Sequence, residues 1–357
     1  MPDWGASMRQ TFEYYTVNPE TWQDDRILRN IIKSVIERDI NADTLGSASI
    51  EATESLGECY VRIYLVTSQN GKREKHPLGT FLVQTPTTSY DGKLKKFDMD
   101  AYTPLLELKE NPPPIGYTIM KNSNVMDYAY TLCRENMRGP TVKTTTSDTL
   151  YNNFVANTDD TWLSFIDDLT ANAKHHLGLD ELSRVIFLPD QDIEKLQPVW
   201  TYTDSNSSIL YPDISMDHDL YGIPNVVEVV YSGSNDTYNV RVENTDPNSP
   251  TSIASRGREI IHRDTDPSIS GVPSKPQLEE YAMNLLKQLS SVEYTVSYTH
   301  GYCPVRLGDC VRLNYTRAGM TDIKAKVIKQ SIDCVPGCKV TETAKFTAKL
   351  WNGGDML

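Results

Sequence analysis

Cys59-Tyr60-Val61-Arg62-Ile63-Tyr64-Leu65 alternates apolar residues at 59, 61, 63 and 65 with Tyr60, Arg62 and Tyr64. That is the period-two pattern of a half-buried strand. Gln69-Asn70-Gly71 follows, and Asn-Gly supplies the positive-φ positions of a tight hairpin. Gly79-Thr80-Phe81-Leu82-Val83 reads as a second strand, Asp91-Gly92 as another turn, and Lys95 to Tyr102 as the next strand. The first hundred residues are therefore expected to be mainly β. Ile27, Leu28, Ile31, Ile32, Val35 and Ile36 have helical spacing, while their β-branched content suits a strand equally well.

Asn111-Pro112-Pro113-Pro114 breaks this pattern, since consecutive prolines continue neither a helix nor a central strand. Beyond it, helical signals dominate. Asn124 reads as an N-cap before Val125, Ala129, Leu132 and Cys133; a second helix carries Trp162, Phe165, Ile166, Leu169 and Ala173, with Gly178 as its expected stop. Arg184 to Leu188 reads as a short buried strand ended by Pro189.

After Pro224 the β pattern returns, with Val226 to Tyr231 and Tyr238 to Val242 pairing about a turn at Gly233-Ser234-Asn235-Asp236. Residues 244–273 read as a surface excursion, and Ser274 caps a helix carrying Leu278, Ala282, Leu285, Leu286 and Leu289. Strands are expected at Val292 to Tyr298, Val311 to Tyr315, Lys324 to Ile328 and Phe346 to Trp351. The fold class is α+β, mainly β. The expected domains are 1–113, an inserted α+β domain at 114–204, and a second β domain at 205–357 that includes a helix at 274–290.

The 357 residues are 39% apolar and 23% charged, ordinary for a folded soluble protein. Lys and Arg number 35 against 48 Asp and Glu, leaving −13, so a fold that grips nucleic-acid phosphates through a basic surface is not expected. Tyr outnumbers Phe by 20 to 7, which suits partly wet interfaces. No apolar run approaches the ~20 residues of a bilayer span. Met1 to Gln10 shows no secretory pattern, so synthesis in a cytoplasm is expected.

No phosphate loop, dinucleotide fingerprint, nucleophile elbow or His-Glu-x-x-His occurs. Cys303, Cys310, Cys334 and Cys338 are the candidate zinc ligands, but their spacing is not the two-residue knuckle, and small core residues explain them better. Asp213, Ser215, Asp217, His218 and Asp219 alternate oxygens without the glycine turn and distal Glu of a calcium loop. His175-His176 reads as a helix C-terminus, where imidazole meets the negative dipole end. Asp159-Asp160, Asp167-Asp168 and Glu279-Glu280 are carboxylate pairs of the kind glycosidases use, with a structural reading in helix first turns for Asp159-Asp160.

Several segments in order carry a resemblance: Leu45-Gly46-Ser47-Ala48-Ser49-Ile50-Glu51, Val61-Arg62-Ile63-Tyr64, Pro77-Leu78-Gly79-Thr80-Phe81, Tyr102-Thr103-Pro104-Leu105-Leu106 and Pro114-Ile115-Gly116-Tyr117. Leu210-Tyr211-Pro212-Asp213-Ile214, Ile223-Pro224-Asn225-Val226-Val227 and Leu307-Gly308-Asp309-Cys310-Val311 follow before a β-rich end. The chain resembles the hub proteins at the tail tip or baseplate of long-tailed bacteriophages and related contractile particles.

That resemblance implies a ring-building virion protein, not an enzyme, with no cofactor. It implies two tail-tube-like β-barrel or sandwich domains flanking an insert, and a homotrimer presenting six such domains. The trimer would join a sixfold tail tube or distal tail protein to a threefold spike, fibre or receptor-binding protein, near the tape-measure protein. Phage DNA would pass without specific binding, and the excess Asp and Glu suit a channel wall that repels phosphates. The other readings are a receptor- or carbohydrate-binding module of the tail tip and a cell-wall hydrolase. The second needs a C-terminal extension, for which Asp355-Met356-Leu357, just after the last expected strand, leaves no length.

Overall fold

The computed structural model describes residues 2–90, 92–93, 95–205, 208–218, 220–232, 237–268 and 273–349. The turn expected at 233–236, and Asp91, Asp219 and Trp351, lie outside them. The protein is α+β and mainly β. Two compact units form: Met1–Ile214 with Ser297–Ala344, and Ser215–Val296 with Lys345–Leu357.

In the first unit, strands hydrogen-bond in the order Ile323–Asp333, Ile31–Asp39, Gly46–Ala52, Lys95–Tyr102, Lys72–Tyr90, Tyr60–Gln69, Arg9–Val17 and Asp24–Leu28. The ambiguous segment 27–36 is thus strand on both sides of a break, as its β-branched residues prefer. Tyr60–Gln69 and Lys72–Tyr90 pair through the expected turn, with Asn70 at φ 52° and Gly71 at φ 76°. The sheet curls on itself, because the Tyr14 hydroxyl and Ser34 Oγ meet at 3.1 Å in the interior although four strands separate theirs along the sheet. Cys310–Asn314 pairs antiparallel with Ile323–Asp333 and parallel with Trp200–Thr203.

The strand expected to be half-buried is buried on both faces from Tyr60 to Thr67. Arg62 tolerates this because all its nitrogens have partners: Nε donates to Thr80 Oγ1 at 2.8 Å, Nη1 to Asp24 Oδ1 at 2.8 Å and Nη2 to the Trp22 carbonyl at 3.0 Å. Covering this face is the turn at 180–184. Trp22 Nε1 and Thr80 Oγ1 both donate to the Leu182 carbonyl, at 2.9 and 3.0 Å.

Residues 105–187 enclose their own core, centred on Phe165, Ile166, Leu169, Val125 and Ala129. Helix Val125–Asn136 starts at Asn124, whose side chain accepts from the Asp127 amide at 2.9 Å. Helix Trp162–Ala171 starts with a Thr161–Ser164 capping box. It ends sooner than the sequence suggested: the chain turns through Lys174 at φ 54°, and Gly178 lies inside strand His175–Leu179. Gly178 leaves room for Leu188, whose Cδ1 would sit 2.7 Å from a Cβ there. His175 and His176 are accordingly strand residues, not a helix terminus.

In the second unit, Val226–Ser232 pairs antiparallel with Thr237–Glu243 and parallel with Ile261–Asp264. Helix Lys275–Leu289 covers one face, setting Leu278, Ala282 and Leu286 on Val227, Val229 and Val240. The excursion after Glu243 is not wholly superficial. Asn225, Asn244, Ser249, Thr251 and Ser252 are buried there, and Asn225 fastens the loop by accepting from the Ile260 amide and donating to the Arg258 carbonyl.

Candidate functional site

The densest set of chemistry-bearing side chains is in the first unit. Tyr202, Gln330 and Glu342 come from three separate strands, and Tyr298, His300 and Cys303 from strand Ser291–Gly301 and the residues just after it. Glu342 Oε1 accepts from the Tyr298 hydroxyl in a short hydrogen bond and from the Tyr202 hydroxyl at 3.3 Å. Its Oε2 accepts from Gln330 Nε2 at 2.7 Å and faces His300 Nε2 at 3.5 Å. Tyr202 also meets His300 Nε2 at 3.1 Å and Cys303 Sγ at 3.3 Å. Arg38 Nη1 donates to Gln330 Oε1 at 3.0 Å, which ties the cluster to strand Ile31–Asp39.

Burial and then the Glu342 charge push both tyrosine hydroxyls well above the ordinary phenol range. Burial alone would lower His300, but hydrogen bonds to Cys303 and Glu342, with the Glu342 charge, raise it to about 10. The residue types suit acid–base chemistry. Their placement does not, since His300 and Glu342 are fully buried and no member is more than 3% exposed. A substrate cannot reach them. The network acts as an internal fastening of distant segments, fully paired as a buried polar group must be. None of these roles was visible in the sequence, because Tyr202 and Glu342 are 140 positions apart.

The cysteines proposed from sequence are dispersed. Cys303 belongs to the network, Cys334 and Cys338 lie near one another and Arg38, and Cys310 lies near Lys324 and Arg312. All six cysteines are free, and among the described residues no three His, Cys, Asp or Glu side chains form a metal-holding group. Asp213, Ser215 and Asp217 lie along strand Leu210–His218. His176 Nδ1 meets Asp190 Oδ1 at 2.8 Å. Glu279 and Glu280 are on helix Lys275–Leu289. Asp159 and Asp160 precede the Thr161 cap instead of occupying the first helical turn, and Asp160 accepts from the Asn157 amide.

Of the concavities in the first unit, two lie against the segment 176–183 or the start of helix Trp162–Ala171. Leu78, Phe81, Leu177, Leu188 and Arg306 surround a cavity of about 80 Å³, room for a few waters and not for a substrate. The other is a groove of about 480 Å³ with Leu105, Leu163 and Leu177 among its apolar lining and Asp43, Asp159 and Asp167 among its polar one. Asp168 stands beside it, its carboxyl raised by burial and by the charges of Asp160 and Asp167. Among the described residues no helix is long and apolar enough to cross a membrane.

No family model matches the chain, and no curated protein matches it. Solved structures do. The tail protein from Neisseria meningitidis MC58 superposes with a TM-score of 0.61 at 10% identity, covering 94% of this chain and 96% of that one. The 43 kDa tail protein of prophage MuSo2 from Shewanella oneidensis gives 0.60 at 11% identity over 94% and 98%. A chain of the Francisella PdpA–VgrG complex gives 0.57 at 11% identity, over 95% of this chain and 58% of its own length. The protein has the fold of phage tail proteins. That fold extends over nearly the full length of both tail proteins compared.

Proposed function

We propose that this chain is a structural, non-enzymatic hub of a phage-type tail tip, located in the virion and made in the host cytoplasm. Three copies would join a sixfold tube or distal ring to a threefold spike or fibre around a channel for DNA. The observation that carries this reading is the near end-to-end likeness to two phage tail proteins. A second one supports it: the residues best suited to catalysis are sealed inside the protein. In this reading 1–113 and 205–357 supply the two tube-like β domains, and 114–204 is the insert between them. The net charge of −13 suits a channel wall that does not hold phosphates.

Native mass spectrometry across a concentration series tests this. A trimer, or a monomer that assembles in threes, supports the hub. A hexamer points to a distal ring, and a strict monomer that binds glycans points to a receptor-binding module. Turnover of cell-wall polymer would overturn the non-enzymatic reading.

A further inference from the structure

The groove between the connection 40–45 and the start of helix Trp162–Ala171 has a composition that defines what fills it. Asp43, Asp159 and Asp167 line it, with Asp160 and Asp168 alongside. Among the described residues Lys109 is the one cation in its lining, and it engages Asp43 at 2.6 Å. Beneath the carboxylates are Leu105, Leu163 and Leu177. A fitting occupant is a cationic segment that also carries an apolar or aromatic side chain.

This chain has such a segment. Strands Lys72–Tyr90 and Lys95–Tyr102 form a hairpin in which Ser89 pairs with Lys96 and Tyr90 with Lys95. Its tip reads Tyr90-Asp91-Gly92-Lys93-Leu94-Lys95-Lys96, three lysines to one aspartate. Tyr90 is 70% exposed, and Lys93 and Lys95 are exposed too. Lys96 also engages Glu51 at 2.8 Å, and the other basic hairpin tip, Gln69-Asn70-Gly71-Lys72, is less suited because it carries no apolar or aromatic side chain.

We propose that the acidic groove receives the tip of hairpin 89–96 from a second copy of this chain. Topology makes the contact intermolecular. Strand Gly46–Ala52 begins where the groove-lining segment ends, at Leu45, and its far end, Ala52, pairs with Phe97 at the base of the hairpin. Groove and tip thus sit at opposite ends of a seven-residue strand, about 20 Å apart along it. A chain cannot fill its own groove. Tip-into-groove contact is heterologous, so copies related by a closing rotation form a ring. The inference deepens the oligomeric hub reading and rests on it.

Charge reversal tests it. In the full chain, Lys93→Glu with Lys95→Glu, and separately Asp159→Lys with Asp167→Lys, are expected to weaken self-assembly about tenfold or more. Combining the two pairs restores assembly, read as the dissociation constant by native mass spectrometry and sedimentation. All four positions are exposed, so folding is retained, as circular dichroism will verify. Unchanged assembly in either reversed variant, or no recovery in the combination, overturns the proposal. If the wild-type chain is monomeric at every concentration, the trimer reading falls on its own. Calorimetric titration of a cyclised peptide spanning 88–97 then decides the groove. Binding that Asp159→Lys with Asp167→Lys abolishes supports it, and absence of binding overturns it.

Discussion

His300 Nε2 lies 3.5 Å from Glu342 Oε2, with neither side chain exposed to solvent. Isolated, either charge would be costly at that depth, and the arrangement holds because each has further partners. The relationship fastens strand Ser291–Gly301 to strand Lys339–Lys349 and predicts a pH dependence of stability that a wholly apolar core would lack.

The sign follows from His300, whose value rises from 6.5 to about 10 despite burial, through its bonds to Cys303 and Glu342. A group raised on folding contributes fully below its unfolded value and loses that contribution as pH climbs to the folded value. Urea midpoints at about pH 6, about pH 8 and about pH 9.5 are therefore expected to fall in that order, and His300→Gln to flatten the slope. A wild-type midpoint that stays constant from the first pH to the last would mean that the imidazole is neutral throughout.

Arg62 should be as unforgiving. Its guanidinium holds Thr80, Asp24 and the Trp22 carbonyl from a site 3% exposed. Arg62→Met takes a donor from Thr80 and the Trp22 carbonyl in the interior and the charge partner from Asp24, at an expected cost of about 2–4 kcal/mol, less than a sealed pair because Asp24 is partly exposed and keeps the Tyr64 hydroxyl. Since Trp22 and Thr80 also hold the Leu182 carbonyl, amide exchange in the 180–184 turn should accelerate. Arg62→Lys keeps the charge with a different donor geometry and is expected to recover only part of the stability.

How legible these features are in sequence depends on their range. The hairpin through Asn70 and Gly71, the Asn124 cap and the helix begun by Ser274 follow from neighbours a few residues apart, and the structure has each of them. Gly178 misled because a glycine after an apolar helical pattern suggests a stop, whereas this one is needed by Leu188 across a strand pair. The excursion expected at 244–273 looked superficial because Asn, Ser and Thr are usually exposed; at Asn244, Ser249 and Thr251 they satisfy one another inside. The Tyr202–His300–Glu342 network was illegible because it depends on parallel pairing of Trp200 with Val311 and other long-range registers. No local pattern encodes those. The acidic groove likewise needs Asp43 and Asp159 brought together from separate parts of the chain.

Two glycines should respond differently to alanine. A Cβ at Gly46 would stand 2.4 Å from the Glu37 carbonyl oxygen, and its φ of 151° is one that side chains rarely adopt. A Cβ at Gly178 meets only side-chain ends, chiefly Leu188, and its backbone is ordinary. Gly46→Ala is expected to cost about 2–4 kcal/mol and Gly178→Ala about 1–2 kcal/mol, because backbone cannot move aside as a leucine tip can. Thermal unfolding of both variants checks the order, and a reversed order would show that strand Ile31–Asp39 is not seated against Gly46 as described.

Thiol chemistry probes the packing of the whole chain at once. All six cysteines are free, five are buried, and Cys59 is the one partly open to solvent. Burial pushes the Cys133 and Cys334 thiols up to about 12 and raises Cys310 and Cys338 as well, so little of the reactive thiolate forms. Cys59 is raised too, by burial that Arg26 partly offsets, so its reaction with an aromatic disulfide should be slow but measurable. One thiol is expected to react in the native protein and six after denaturation, with Cys59→Ser abolishing the native reaction. Rapid native reaction at Cys303, Cys310, Cys334 or Cys338 would contradict their burial. Release of zinc on denaturation would instead revive them as metal ligands, against their dispersal in the fold.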